Sequence, residues 1–448
     1  MALSSINIIK MKFKISNKPF YQNHNSELER YQKFENTLHI VNKKSFTKIN
    51  DNESDIVPID FNTDTLSPIE EISKKYDVIL LTDIIEDSYD IYKFLKIVKV
   101  KLNPSGKLII SSVNTRWRFF TKFFELIKLK DSTSKDSYIH QDKIKNVANG
   151  IGLEYIYSTS RQFFPFKLFG IGTFLNTLLE LIFFKFKFGI KTYTIFRNVT
   201  KEKESYTKTI IIPAKNEEGN LPTLFSRIPN KENYEIVFSI GTSSDNTELI
   251  AKKIKEENKD IDIKVINQTK TGKANAVWEA IDVSNGELIA ILDADISVDP
   301  ETMPYFFEII ELNNADFVNG TRLIYEMEKG SMRFINKLGN RAFQLIVGIL
   351  TNVDLTDSLC GTKVFKRKLV DKIYWWQNSF SMNDPFGDFD LLFSAAFTGD
   401  KIIEYPIHYR TRTYGKTQIS RFKDGFKLIV YLIKSFLVFN TTRRFKKI

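Results

Sequence analysis

Five consecutive apolar residues, Leu288 to Leu292, run into two carboxylates, Asp293 and Asp295, and this stretch constrains the chain more than any other. An unbroken apolar run of that length, with isoleucine at alternate positions, predicts a strand buried on both faces. Such a strand delivers both carboxylates to its own C-terminal end, the edge where ligands bind in open α/β sheets. Paired carboxylate oxygens there suit a hard divalent cation that also takes phosphate oxygens. The spacing alone decides nothing, because Asp-x-Asp recurs at Asp260 and Asp262, in what reads as a solvated loop, and at Asp388 and Asp390. The setting singles out Asp293, since Val298-Asp299-Pro300-Glu301 follows as a turn with a helix start.

With 448 residues the chain exceeds one ordinary core and predicts two domains and a tail. A formal net charge of +11 implies an anionic partner: nucleic acid, a lipid surface or a phosphorylated substrate. The lysines are scattered, which argues against nucleic acid. The single cysteine, Cys360, excludes an internal disulfide framework and a Cys-rich zinc site, and a reducing cytoplasm fits best. Residues 1–16 are interrupted by Lys10, Lys12 and Lys14 and do not read as a signal peptide. Residues 174–184 are too short for a membrane span and carry Asn176 and Glu180.

Residues 1–200 alternate strands (38–41, 56–59, 78–81, 108–112) with a helix at 91–102 and a turn at Asn103-Pro104-Ser105-Gly106, which favours a parallel sheet. The segment Tyr76-Asp77-Val78-Ile79-Leu80-Leu81-Thr82-Asp83, with the helix and turn after it, resembles the second half of a class I S-adenosylmethionine-dependent methyltransferase. The resemblance implies a Rossmann-like, methyltransferase-type domain over 1–200. It departs from the family where the cofactor would sit, because no glycine precedes Gly106 and a glycine-rich turn is needed for close backbone approach. The expectation is a degenerate domain that does not bind S-adenosylmethionine; an active methyltransferase is the alternative, with Asp60 and Asp83 at strand ends as its residues. Residues 163–196 are rich in phenylalanine, and Lys185 and Lys187 alternate with the aromatics as in a half-buried strand packed between domains, a lipid-facing surface being the other reading. The charged run 200–205 reads as a linker.

From residue 206 the pattern becomes strand, polar elbow and helix, repeated. Pro213-Ala214-Lys215-Asn216-Glu217, Ser243-Ser244-Asp245-Asn246-Thr247, Gly272-Lys273 and Asp293-Ala294-Asp295 follow in order. In this order they closely resemble the family 2 glycosyltransferases of GT-A fold, over about residues 207–428. The resemblance implies an α/β nucleotide-sugar-binding domain at 206–420, behind the methyltransferase-like domain, in an arrangement similar to known bacterial and archaeal fusions. It also implies an inverting hexosyltransferase whose donor is a nucleoside diphosphate sugar. Asp293 and Asp295 would hold Mg²⁺ or Mn²⁺ against the diphosphate, and Lys273, at a helix start, would neutralise phosphate. Pro213, Ala214, Asn216, Glu217 and Asp245 would line the nucleoside site. Where the family reads the base with an acid near the end of the second strand, this chain has Ile240-Gly241, so uridine and guanosine both remain open.

Arg322, Lys363 and the loop Arg410-Thr411-Arg412-Thr413-Tyr414-Gly415-Lys416-Thr417 resemble the cationic positions of polyprenyl-phosphate sugar synthases, although Lys416 is shifted from their pattern. Arg410 and Arg412 would clamp either the donor diphosphate or an anionic acceptor. Asp388 lies where inverting members place the general base, and it also suits a helix N-terminus. The acceptor implied first is a lipid-linked (polyprenyl) phosphate; a hydroxyl of a glycan or glycolipid is the alternative. His408, on an apolar strand at 402–409, and Cys360 read as structural. In the tail, residues 421–448, Phe422, Phe426, Ile429, Val430, Ile433 and Leu437 form a stripe beside Lys423, Lys427 and Lys434. That pattern suits a helix on an anionic membrane surface, or one packed on the first domain. The expectation is a cytoplasmic protein peripherally attached to the inner face of the membrane.

Overall fold

The computed structural model describes residues 19–42, 54–59, 61, 66–117, 140–163, 171–183, 187–200, 202–325, 334–380, 382, 384–411, 414 and 421–440. The chain forms two compact units, one of residues 1–200 with 437–448, the other of residues 201–436.

In the first unit β1 (Thr37–Asn42), β2 (Asp55–Ile59), β3 (Tyr76–Thr82), β4 (Leu102–Val113), β5 (Leu153–Arg161) and β6 (Lys191–Asn198) form one sheet. The order is β2-β1-β3-β4-β6-β5. β1 to β4 are parallel, and β6 runs antiparallel to both β4 and β5, so the sheet is mixed where the alternation suggested a parallel one. Both faces are apolar, which is why β3 reads as a continuous hydrophobic run. Ile79 and Leu81 pack with Phe94, Leu95 and Val98 of the helix Ile91–Val100, while Val78 and Leu80 pack with Leu28, Tyr31 and Tyr193. Asp90 caps that helix by accepting from Lys93 N at 3.0 Å. The expected turn at 103–106 is a loop-out inside β4: Tyr76 pairs with Leu102, then Val78 with Lys107, and Ser105 is left-handed at φ 59°.

Among the described residues, the half-buried strand expected around Lys185 and Lys187 is not found at Lys187. Ile171–Ile182 is a helix, Lys187 sits in a turn at φ 50°, and extended structure resumes only at Lys191. A left-handed residue ends the alternation that a strand requires. Lys185 itself lies outside the described residues, as does Asp60. Asp83, the other residue at a strand end, is also left-handed, at φ 50°; its carboxylate is bound to the Lys191 ammonium and accepts from Ser111 Oγ.

The second unit is a seven-stranded sheet of β7 (Lys208–Ala214), β8 (Glu235–Ile240), β9 (Ile263–Asn267), β10 (Leu288–Ile291), β11 (Phe317–Thr321), β12 (Lys363–Lys366) and β13 (Ile402–Pro406), in the order β13-β11-β12-β10-β7-β8-β9. β9, β8, β7 and β10 are parallel, and β12 is inserted antiparallel between β10 and β11. All four residues of β10 are buried. The chain winds outward from β7 through β8 to β9 and then crosses to the far side of β7, so the topological switch lies between β7 and β10. That is where a doubly wound sheet opens a crevice at the carboxyl ends of its strands. Because β12 is antiparallel, its first residues arrive at the same edge, with Lys363 opposite Ile291. β13 stops at Pro406, short of the predicted 409, and His408 is exposed and stacked on Tyr325 with ring centroids 4.4 Å apart.

Candidate active site

β7 ends at Pro213-Ala214, and the elbow after it is tied to the turn after β8. Asn216 is left-handed at φ 56°, a conformation that Asn tolerates better than most residues. Asn216 N donates to Ser243 Oγ at 3.1 Å, and Asn216 Oδ1 accepts from Ser244 N at 2.7 Å. Glu217 N donates to Thr247 Oγ1 at 2.8 Å, and Glu218 N to Asp245 Oδ2 at 3.2 Å. Asp245 also accepts from Thr247 N at 3.1 Å. Burial alone would raise the Asp245 pKa, but the bonds from Thr247 and from the Glu218 and Thr247 amides outweigh it and hold the carboxyl below its ordinary value. These residues thus form one hydrogen-bonded wall beside the switch point. The Tyr414 ring stands on it against Gly219, where a Cβ would approach Tyr414 Cδ2 to 2.8 Å.

The opposite wall comes from β10. Asp295 is 6% exposed and accepts from Ser297 N at 3.0 Å. Between them Ile296 is left-handed at φ 54°. A β-branched residue there costs about 1–3 kcal/mol, and such strain gathers at functional sites. Asp293 pairs with Lys273 Nζ at 2.5 Å. Lys273 opens the helix Lys273–Val283, and its preceding residue, Gly272, sits at φ 111°. Burial lowers the Lys273 pKa, but Asp293, Asp388 and Asp295 more than offset it and hold the ammonium above its ordinary value. One lysine therefore senses all three carboxylates.

Asp388 is the first residue of the helix Asp388–Phe397, behind Gly387 at φ 80°. That glycine permits close approach, since a Cβ on it would lie 3.1 Å from Trp278 and 3.5 Å from Ala274 Cβ, both on the helix of Lys273. Two helix N-termini consequently meet beside the carboxylates. Asp388 Oδ1 accepts from Lys363 Nζ at 2.8 Å; the Lys363 side chain is fully buried and also donates to the Cys360 carbonyl. Gly361 presses on the Asp293–Lys273 pair, with its would-be Cβ 2.6 Å from Lys273 Nζ. Asp384, buried nearby, accepts from Phe386 N at 3.0 Å and Phe389 N at 2.6 Å and so fixes the turn that presents Asp388. Burial, with the charges of Asp390 and Asp388, pushes the Asp384 carboxyl up to about 7. Asp390 points elsewhere, accepting from Tyr431 OH at 2.6 Å and Gln377 Nε2 at 2.7 Å.

The structure brings together Asp293, Asp295, Lys273 and Asp388, with Pro213 and Ala214 ending the neighbouring strand. It does not bring Arg322 and Arg410 to them as free cations. Arg322 is bidentate on Asp357, at 2.6 and 2.9 Å, and Arg410 is bidentate on Asp299, at 2.7 and 2.9 Å. A guanidinium fork matches a carboxylate as well as it matches a phosphate. Arg412 and Lys416 lie outside the described residues. Lys363, expected from the resemblance to be one of the cationic positions, is paired with Asp388, and the sequence reading assigned no role to Gly361 or Asp384. A glycine two residues before the short strand β12 and a lysine opening it were the available signal. Asp293 and Asp295 fit a hard divalent cation that takes its remaining oxygens from a ligand and water; among the described residues no cluster of three or more His, Cys, Asp or Glu could hold a metal alone.

Residues 209–374 match the family model described as glycosyl transferase family 2, so the second unit carries a domain of that family. A dolichol-phosphate mannosyltransferase of Pyrococcus furiosus is 28% identical over 219 residues, 47% of this chain and 58% of the relative. A dolichyl-phosphate hexose transferase of Haloferax volcanii is 29% identical over 189 residues, 42% of this chain and 75% of the relative. The chain thus spans less than two thirds of the Pyrococcus protein's length. The crystal structure of glucosyl-3-phosphoglycerate synthase from Mycobacterium tuberculosis, in complex with Mn²⁺, uridine diphosphate and phosphoglyceric acid, is 17% identical and covers 52% of this chain and 79% of its own. Its TM-score of 0.40 is too low to bear on the site.

Proposed function

We propose that the chain is a hexosyltransferase that moves a sugar from a nucleoside diphosphate donor to a lipid-linked, polyprenyl phosphate, with inversion at the anomeric carbon and with Mg²⁺ or Mn²⁺ as cofactor. The observation that carries this reading is the convergence of Asp293, Asp295, Asp388, Lys273 and Lys363 with two helix N-termini at the switch-point edge of the second sheet. The names of the Pyrococcus and Haloferax relatives support the class of acceptor.

In this reaction the bond between the anomeric carbon and the β-phosphate oxygen breaks, and negative charge accumulates on the departing diphosphate. Asp293 and Asp295 would hold a divalent cation, and its chemistry there would be to neutralise that charge. Lys273 and the N-terminal amides of its helix add a fixed positive field on the same side. The elbow of Asn216 and Glu217 and the turn of Asp245 form the wall available to the nucleoside. An acceptor phosphate oxygen attacks the anomeric carbon from the opposite face and needs no deprotonation, because it is already ionised.

A hydroxyl acceptor would instead need a positioned base, and Asp388 is the candidate. The pairing of Asp388 with the buried Lys363 favours the phosphate reading, since it already engages one of the two oxygens that a base would turn toward an acceptor hydroxyl. For the first unit the reading is a degenerate methyltransferase-like domain that does not bind S-adenosylmethionine, for which calorimetry giving a micromolar dissociation constant is the refuting result. The transfer itself is tested by incubating the protein with nucleotide sugars, Mn²⁺ and undecaprenyl phosphate and resolving the lipid products by thin-layer chromatography. A glycolipid from wild type, little change with Asp388→Asn and loss with Asp295→Asn are expected. Collapse with Asp388→Asn in a protein that still folds and binds donor moves the acceptor to a hydroxyl, and no product with any donor defeats the reading.

A further inference from the structure

The proposed cation would sit on Asp293 and Asp295, yet Asp293 already has a partner in the Lys273 ammonium at 2.5 Å. Two other observations bear on that pair. Among the described residues a cation is offered only this couple of carboxylates, with no third acidic, histidine or cysteine ligand to complete a cluster. Gly361 also walls the pair in, because a Cβ there would press on the Asp293 carboxylate and on Lys273 Nζ. The position admits no side chain that could replace either partner.

We propose that Lys273 is a built-in counterion: it holds Asp293 until a nucleoside diphosphate arrives with the divalent cation, then passes from the carboxylate to the phosphates. The inference rests on the proposed function and deepens it by setting the order of binding. A cation arriving alone must displace an ammonium from a half-buried carboxylate, gains two protein ligands, and leaves the ammonium beside a dication that now shares its carboxylates. A cation arriving with a diphosphate gains phosphate oxygens, and Lys273 gains an anionic partner at its own helix N-terminus. Metal and nucleotide therefore bind as a unit, each strengthening the other by the same factor.

Electron paramagnetic resonance titration of free Mn²⁺ tests this with full-length wild type, Lys273→Met, Lys273→Gln and Lys273→Met/Asp293→Asn, each with and without uridine or guanosine diphosphate. Circular dichroism checks that each variant is folded. Wild type should bind Mn²⁺ at least about tenfold tighter with one of the nucleotides than without. Both Lys273 variants should bind Mn²⁺ alone about tenfold tighter than wild type, with a smaller gain from nucleotide, and the double variant should lose that advantage. Lys273 variants that bind Mn²⁺ alone no better than wild type overturn the counterion role while leaving the proposed function intact. No uptake of Mn²⁺ by wild type with either nucleotide overturns the proposed function, and the inference with it.

Discussion

Replacing Lys363 by methionine isolates the interaction that most shapes Asp388. The Lys363 side chain is fully buried, the Asp388 side chain is 11% exposed, and Nζ lies 2.8 Å from Oδ1. Methionine fills nearly the same volume, so the change removes charge and leaves packing largely intact. It strands a buried carboxylate, and breaking a buried pair on one side costs about 3–5 kcal/mol. Removing both charges, as in Lys363→Met/Asp388→Asn, should recover most of that loss. The pair's exposed rim and the field of Lys273 place the single-variant loss at the lower end, about 3 kcal/mol. Urea denaturation followed by tryptophan fluorescence suits the measurement, because Trp278, Trp375 and Trp376 all lie in the second unit. A loss below about 1 kcal/mol for Lys363→Met, or a double variant no more stable than the single one, would refute the reasoning.

Asp384 gives a pH signature. Its carboxyl rises from an ordinary 3.8 to about 7 in the fold, so between those values the folded state holds the extra proton and stability falls as pH rises. Asp384→Asn should flatten this slope, which is at most about 1.4 kcal/mol per pH unit, in urea melts at pH 5, 6 and 7; an unchanged slope rejects the assignment. On the helix Arg421–Asn440, Phe426, Ile429, Val430, Ile433 and Leu437 form an exposed apolar stripe, with Lys427 and Lys434 also exposed. Wild type should sediment with anionic liposomes and Phe426→Ser/Ile433→Ser should not; equal sedimentation counts against a membrane surface as partner. No helix among the described residues is long and apolar enough to cross a membrane.

β1 to β4, β7, β8 and β10 were legible because each holds a largely apolar run closed by Gly, Pro, Asn or Asp, and burial on two faces leaves little else possible, whereas β5, β6 and β12 mix in polar residues and were not read. Asp293 and Asp295 were legible for the same reason: a buried strand points at them. What the sequence did not show was the antiparallel insertion of β12, which brings Gly361 and Lys363 to Asp293 and Asp388 across more than sixty residues of chain in one case. Pairing direction is a tertiary outcome, and a four-residue strand carries no mark of it. The carboxylate partners of Arg322 and Arg410 were hidden by a related limit. A guanidinium reads the same whether its carboxylate is Asp357, Asp299 or a ligand, and only the fold chooses. Ile296 is the sharpest case, because a β-branched residue is the last that local preference would place at positive φ. Its position between Asp295 and Ser297 indicates a conformation imposed by the site rather than chosen by the residue.

The central claim, that the edge bearing Asp293 and Asp295 binds a nucleoside diphosphate through a divalent cation, is tested most directly by calorimetry. Uridine and guanosine diphosphate are titrated into wild type and into Asp295→Asn, each with Mn²⁺ and with a chelator. The account predicts that wild type binds one of the nucleotides only when Mn²⁺ is present, and that Asp295→Asn, with unchanged circular dichroism, loses that binding. Nucleotide affinity that is the same with and without Mn²⁺, or that survives Asp295→Asn, would contradict it.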